Sequence, residues 1–385
     1  MPFLHFNREN REIRFCLTLL LLAFGYFFTL PMHAQQAPVV VATNVTFRVM
    51  ASNLSSGNNQ RYETPGLNIL KGLKPDVVAM QEFNVSNSFG INTTAAIRSM
   101  IDTTFGTNFV YFRETGVSIP NGIISRYPIV ASGIWDDPQL TDREFPWVEL
   151  DLGLPGTNDL FVVSVHLHSS GGSSSRSIEA TTLTNMIRTT FPANARVVLA
   201  GDLNTDSRAE TALAKLTTIL SDRPIPTDAT AAGDADTNEG RTKPYDYVLP
   251  SFSLASNRVA TVIGSQTFSN GLVFDSDVFT PLSAVAPVAF GDSHVFQMQH
   301  MAVVKDFRIN YTVTNFVTVP SPTLVLNSTN VIRWQGLSNV TYSVQASTNL
   351  PSFATVGTAT SSTTNLSFTN QSSGAERQFF RVVYP

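Results

Sequence analysis

The segment VVLAGDLNTDSRA (197–209) sets Asp202 and Asn204 directly after an apolar, β-branched run that Gly201 interrupts. Five other apolar runs carry polar groups in the same manner: Asn53 after FRVMAS, Gln81 and Glu82 after VVAM, His166 within VVSVHLH, Asp246 opening DYVL, and His300 ahead of MAVVKDF. Strand ends held by a rigid scaffold are where ligand and catalytic groups collect. Taken singly, each has an ordinary explanation. An Asp or Asn after a strand is commonly a turn residue, Glu82 can be a solvated strand end, and a histidine on an apolar strand a satisfied core residue. His168 shares a face with His166 by strand alternation, so one of the two is spare. Together, carboxylates, amides and histidines at six strand ends suit hydrolysis of a phosphoester. A hard cation such as Mg²⁺ takes oxygen ligands and keeps several waters, so one or two carboxylates suffice to hold it. It polarises the phosphoryl oxygen, while an Asp or His deprotonates the attacking water. Amides such as Asn53 and Asn204 donate to phosphoryl oxygens without repelling them.

These residues need strands to carry them. From about residue 45 to 308, strand-like runs alternate with helical spacing. Leu67, Leu70 and Leu73 recur on one helical face, ended by Lys74-Pro75. TTAAIRSMIDTTF and SIEATTLTNMIRTTF read as further helices, the first capped by Thr93 or Thr94. Several strands between 109 and 167 follow one another with no helix between them. A purely parallel sheet would need a crossover each time, so the expected fold is α/β: two packed mixed β-sheets flanked by helices, a four-layer sandwich. Asp206-Ser207 reads as the cap of a helix beginning near Arg208. Trp135 and Phe145-Pro146-Trp147 could form an aromatic rim, with strand core the better reading for Trp147. After about residue 310 the chain turns rich in Thr, Ser, Asn and Val, and VIRWQG, TYSVQAS, LSFTN and QFFRVVY read as short strands. That spacing suggests a small C-terminal all-β sandwich of the immunoglobulin or fibronectin kind.

The ordered series resembles the endonuclease/exonuclease/phosphatase superfamily, and its secreted deoxyribonucleases in particular. The matching pieces are MASN (50–53), KPDVVAMQE (74–82), NGIISRYPI (121–129), SVHL (164–167), GDLN (201–204), DYVL (246–249) and QHMAVVKDF (299–307). The resemblance implies Glu82 as the main metal ligand, with Asn53 close to the metal or phosphate. It implies Asp202 positioning the attacking water and Asn204 binding phosphate. His166 would contact phosphate or donate a proton, and Asp246 and His300 would form a hydrogen-bonded pair. Which histidine acts as base and which as acid stays open. Where the family has Ser-Asp-His before the last strand, this chain has Met298-Gln299-His300. A carboxylate near the metal is thereby lost. A competing register through Asp292-Ser293-His294 lies six residues further from the strand.

Arg8, Arg11 and Arg14 precede the uncharged FCLTLLLLAFGYFFTL, and Ala34 is a plausible cleavage point. The apolar run is shorter than the roughly 20 residues of a spanning helix, so residues 1–34 are expected to be a signal peptide, with no transmembrane anchor in the mature chain. Cleavage would remove Cys16, the only cysteine, and take the net charge from −4 to −5. No Lys/Arg cluster announces a wide nucleic-acid footprint. The expectation is therefore a secreted or periplasmic, metal-dependent phosphodiesterase. Its catalytic domain would occupy 43–309 and a β-sandwich accessory module 310–385. The cofactor would be Mg²⁺, with Mn²⁺ or Ca²⁺ as alternatives. Nucleic acid is the favoured substrate, a phospholipid such as sphingomyelin the alternative, and the accessory module could bind a surface or polymer. From another class, an inactive binding or adhesion protein on the same fold would explain Gln299.

Overall fold

Alternation along each strand sorts the side chains into layers. The computed structural model describes residues 35–85, 92–156, 160–169, 171–319, 325–326, 331–349, 352–371 and 378–383. The expected signal segment, 1–34, and Pro320 and Pro322 lie outside them. Among the described residues no helix is long and apolar enough to cross a membrane. Close contacts group Ala42–Thr312 as one unit, and Met1–Val41 with Val313–Pro385 as another.

The first unit contains two sheets. One runs β10-β14-β1-β2-β4-β3, with β13 also paired to β14; the other runs β5-β6-β7-β8-β9. The strands of the first sheet are β1 (Gln35–Ser52), β2 (Val77–Met80), β3 (Val110–Arg113), β4 (Gly122–Ser125), β10 (Arg258–Val259), β13 (Leu272–Phe274) and β14 (Ala302–Val319). Those of the second are β5 (Ile129–Trp135), β6 (Phe145–Leu150), β7 (Leu160–His166), β8 (Arg196–Asp202) and β9 (Asp246–Pro250). A separate hairpin joins β11 (Thr261–Ile263) to β12 (Gln266–Phe268). Both sheets are mixed. β1 and β2 are parallel, as are β7 and β8. Each of these pairs is bridged by a helix, α1 (Thr64–Leu73) and α3 (Ser173–Thr190), as a parallel crossover requires.

Val49, Ala51, Val77, Ala79 and Ile123 of the first sheet meet Val148, Val162, Val198, Ala200 and Val248 of the second in one buried cluster. Their sequence neighbours Met50, Val78, Met80 and Ile124 face outward and pack on α1 and α2 (Thr94–Thr104). On the far side Phe161, Val163, Val197, Leu199 and Tyr247 pack under α3 and α4 (Thr211–Leu216). The order helix, sheet, sheet, helix is the expected four-layer α/β sandwich. Thr93 Oγ1 accepts from Ala96 N at 3.1 Å, capping α2 as its sequence suggests; such a cap stabilises by about 1 kcal/mol.

Two readings are corrected. Asp206-Ser207 does not cap a helix: α4 starts at Thr211 after Glu210. Asp206 instead pairs with Lys243 at 2.6 Å and with Arg176 at 3.2 Å. Nor do the tryptophans form a rim. Trp135 and Trp147 pack on Phe191 at ring distances of 5.4 and 5.3 Å, tilted and edge-on, in the layer beneath α3, which is the strand-core placement preferred for Trp147. The stretch between β9 and β14 had no reading from its pattern. It folds as α5 (Phe252–Ala255), four strands of two or three residues, and single 3₁₀ turns.

In the other unit, β15 (Val325–Leu326), β16 (Val331–Gln335) and β19 (Asn365–Thr369) form one antiparallel sheet. A second contains β17 (Tyr342–Ser347), β18 (Ala354–Ala359) and β20 (Phe379–Val383). Ile332, Trp334 and Leu366 of the first pack with Tyr342 and Val344 of the second. All four expected strand segments are present.

Candidate active site

Sheet register carries the polar residues to one edge. β1 and β2 run parallel and stop in step, Ser52 opposite Met80, so Asn53 and Glu82 leave the same end. β7 and β8 end with His166 opposite Asp202. β9 is antiparallel to β8, so its first residue, Asp246, also lies opposite Asp202. His300 stands two residues before β14 begins.

All seven predicted site residues converge on one cluster of hydrogen bonds and charged contacts. Asn53 Nδ2 lies 3.2 Å from Asp202 Oδ2, 3.2 Å from His300 Nε2 and 3.5 Å from Glu82 Oε1. His166 Nε2 is 3.3 Å, and His300 Nε2 3.6 Å, from the same Asp202 oxygen. Asn204 closes a tight turn onto Asp202: its backbone N–H donates to Oδ1 at 2.7 Å and its Nδ2 to Oδ2 at 3.1 Å. His300 Nδ1 donates to Asp246 Oδ2 at 2.9 Å, leaving Nε2 as the nitrogen that faces the cluster. His168 stands apart, its ring on the Ser169 carbonyl.

The backbone is shaped for this. Glu82 and Asn204 have φ of 50° and 51°, left-handed values that are uncommon outside glycine and cluster at functional sites. Gly201 has φ of 140°, and a Cβ there would collide with the Val165 carbonyl and the Gln81 amide. Gln81 is held in turn by its bond to Ser164 Oγ at 2.9 Å.

Burial sets the electrostatics. Burial pushes the Asp202 carboxyl up, and repulsion from Asp246 adds to this against the attraction of His300, bringing it to about 7. Burial alone would depress His300, but Asp246 and Asp202 outweigh it and raise the imidazole to about 10. His166 goes the other way: burial first, then the positive charges of Arg143 and His300, hold it well below its ordinary value. The two histidines therefore differ in charge at neutral pH, His300 cationic and His166 neutral. His166 Nδ1 is buried without a partner among the described residues.

Asn53 Oδ1 and Asp246 Oδ1 are likewise buried and unpartnered. Glu82 is turned toward Asn53 and anchored by Ser55 Oγ at 2.5 Å. Asp202, Asp246 and His300 bring ligand atoms within 4.8 Å of one another. This oxygen-rich set, with an orphaned amide oxygen at its edge, fits a hard divalent cation.

Three contributors had no signal in the pattern. Thr237 Oγ1 donates to Asp246 Oδ2 at 2.9 Å and accepts from Asp246 N at 2.7 Å. Ser55 holds Glu82. Arg143 is 5% exposed, its Nε has no hydrogen-bond partner, and its charge reaches His166. Only its place just before the FPWVEL strand hinted that it is more than a loop cation. Gln299 is exposed, and its backbone carbonyl accepts from Glu239 N at 2.8 Å. The competing register is excluded, since His294 lies against Asp275 and Asp277.

Residues 67–269 match the profile of the Endonuclease/Exonuclease/phosphatase family. The chain belongs to that family. Endonuclease/exonuclease/phosphatase proteins are hydrolases of phosphoester bonds and use divalent metals. No curated protein matches the sequence. Solved structures with a similar fold include an endonuclease/exonuclease/phosphatase from Beutenbergia cavernae DSM 12333, at 15% identity and TM-score 0.46, covering 88% of this chain and 92% of that one. Truncated Caenorhabditis elegans TDP2 aligns at 12% identity and TM-score 0.43, covering 68% and 97%. The human Nocturnin catalytic domain with bound sulfate anion aligns at 15% and 0.44, covering 72% and 98%.

Proposed function

We propose that the protein is a secreted or periplasmic, divalent-metal-dependent phosphodiesterase of nuclease type. The observation that carries this is the convergence of His300, paired through Nδ1 with Asp246, on the Asp202 carboxylate that also faces His166 and Asn53. Glu82 and Asn53 would hold the cation, Mg²⁺ in the first instance with Mn²⁺ or Ca²⁺ able to substitute. When bound, it supplies Lewis-acid polarisation of the phosphoryl group. Asp202 accepts the proton of the attacking water. His300, kept protonated by Asp246, donates from Nε2 to the oxygen on which charge develops. His166 and Asn204 hydrogen-bond the phosphoryl oxygens, and Arg143 adds positive charge beside His166. Thr237 holds the Asp246 carboxylate, which in turn fixes the orientation of the His300 ring.

One observation favours the alternative phospholipid substrate. Phe290 and Phe296 are 74% and 66% exposed on the segment leading to His300. The carbonyl of Phe296 accepts from Gly57 N at 2.9 Å, next to the turn that follows Asn53. Two exposed aromatic rings on this segment are suited to entering a lipid surface.

The domain reading is a signal peptide over 1–34, the catalytic domain over 43–309, and an accessory β-sandwich of immunoglobulin or fibronectin type over 310–385 that binds a surface or polymer. The deciding assay compares plasmid DNA with sphingomyelin vesicles at fixed Mg²⁺, for wild type and Phe290→Ser/Phe296→Ser. Nicking of DNA with little lipid hydrolysis supports the nuclease reading. Lipid hydrolysis that collapses in the double variant replaces it with the lipid reading. Hydrolysis of neither, nor of simple phosphodiesters, leaves the inactive binding protein.

A further inference from the structure

A second cluster of ligand-type side chains lies outside the network around Asp202. Asp275 follows β13, Asp277 is two residues on, and His294 comes from the turn before β14. His294 Nδ1 lies 3.2 Å from Asp277 Oδ2 and 3.7 Å from Asp275 Oδ1. A cation bound at about 2.1 Å to nitrogen and oxygen ligands holds neighbouring ligand atoms roughly 3.0–3.5 Å apart, close to this spacing. The nitrogen itself is buried and has no hydrogen-bond partner, although two carboxylates stand near it. Among the described residues, Nδ1 thus stands within ion-pair distance of both carboxylates and makes a hydrogen bond to neither.

Each carboxylate is braced through the rest of its bonding. Asp275 Oδ2 takes Arg241 Nη1 at 3.0 Å, while its Oδ1 takes the Asp277 backbone N–H at 2.9 Å. Asp277 Oδ1 takes Gly291 N at 2.9 Å and Ser276 Oγ at 3.2 Å, which leaves Oδ2 for the cluster. Such outer contacts hold ligands in a fixed orientation. Charge is unbalanced there: Arg241 is shared among Asp275, Asp228 and Asp234. The His294 and Asp277 side chains are 29% and 31% exposed, so the cluster opens to water on one side.

We propose that Asp275, Asp277 and His294 form a second divalent-cation site, distinct from the Glu82–Asn53 site. An imidazole in the set selects a Zn²⁺-class ion over Mg²⁺ or Ca²⁺. The ion ties the segment that leads to His300 onto the end of β13. Its role is structural, and the site stands whether or not the catalytic reading above holds.

The test uses the full chain stripped with a chelator and dialysed against Zn²⁺ or Co²⁺. Glu82→Ala is the background, so that cation binding at the strand-end cluster is weakened equally in every sample. Glu82→Ala should bind one Zn²⁺ and gain about 5 °C in Tm at saturating metal. Co²⁺ should add a visible d–d absorption, and the His294 ring resonances should shift. Glu82→Ala/His294→Ala and Glu82→Ala/Asp277→Asn should each lose the bound equivalent, the Tm gain and the Co²⁺ band. Equal Zn²⁺ stoichiometry with and without His294, or no bound Zn²⁺ in Glu82→Ala, overturns the proposal; the second result means a proton alone occupies the cluster. Should His294→Ala not fold, the half-exposed Asp277→Asn and the His294 resonances in Glu82→Ala decide it.

Discussion

His300 and His166 are both buried and both within 3.6 Å of one Asp202 oxygen, yet their surroundings push them in opposite directions. The difference lies in the second ring nitrogen, which in His300 meets Asp246 and in His166 meets nothing. The account therefore predicts that His300→Ala and Asp202→Asn each lower kcat by about 10²–10⁴ with small changes in KM. Circular dichroism should show the fold retained in both. Asp246→Asn removes the charge that holds His300 protonated. A group that acts in its protonated form loses activity as pH rises through its pKa. The alkaline limb of the kcat profile should then move to lower pH in Asp246→Asn, toward the ordinary histidine value of about 6.5. An unmoved limb would remove His300 as the proton donor. A second residue-scale effect lies far from the site. Lys305 is almost wholly buried, its Nζ has no partner, and burial, then Arg208 and Arg258, lower it from 10.5 to about 7. A depressed folded pKa means stability that is present above the unfolded pKa and is lost as pH falls toward the folded one. Wild type should therefore become less stable from about pH 10 down to pH 7, by on the order of 4 kcal/mol. Lys305→Met should flatten that slope in chemical denaturation. An unchanged slope would mean that Lys305 does not carry it.

At the scale of elements, the site depends on strands that end in step and on sharp turns directly after them. Gly201→Ala forces a Cβ into the Val165 carbonyl and the Gln81 amide at a φ that suits only glycine. It should cost about 1–3 kcal/mol in denaturant titration and lower kcat, because Asp202 moves with the turn. Wild-type stability and rate would show that the turn tolerates the extra carbon. The strands that carry the site were legible in the sequence because each ends in an apolar run directly before or after a polar residue, and β2, β7, β8 and β9 are runs of only four to seven residues. The helix faces of Leu67, Leu70 and Leu73 and the Thr93 cap were legible as well. Strands β10–β13 were not, because two or three residues span less than one full alternation. Thr237, Ser55 and Arg143 were missed because each acts through a partner brought close only by the fold. Arg143, for instance, lies in the loop before β6, whereas His166 ends β7. The pairing of Asp275 and Asp277 with His294 is of the same kind: sixteen residues without a strand or α-helix lie between Asp277 and His294.

For the whole molecule, every residue of the proposed site lies within Ala42–Thr312, and the C-terminal sheets have an apolar core of their own. Hydrolysis of a small soluble phosphodiester should thus survive removal of 313–385, while binding to any surface the accessory module recognises should be lost. The strand-end cluster is proposed to be a metal-dependent phosphodiesterase centre. Its most direct test is the rate of bis(p-nitrophenyl) phosphate hydrolysis by purified wild-type protein and His300→Ala, in Mg²⁺, Mn²⁺ or Ca²⁺ and again in EDTA. The account predicts turnover by wild type with at least one of these ions, abolished by EDTA, restored by adding the ion back, and lower by about 10²-fold or more in His300→Ala. Turnover that persists in EDTA, or that is equal in the two proteins, would contradict it.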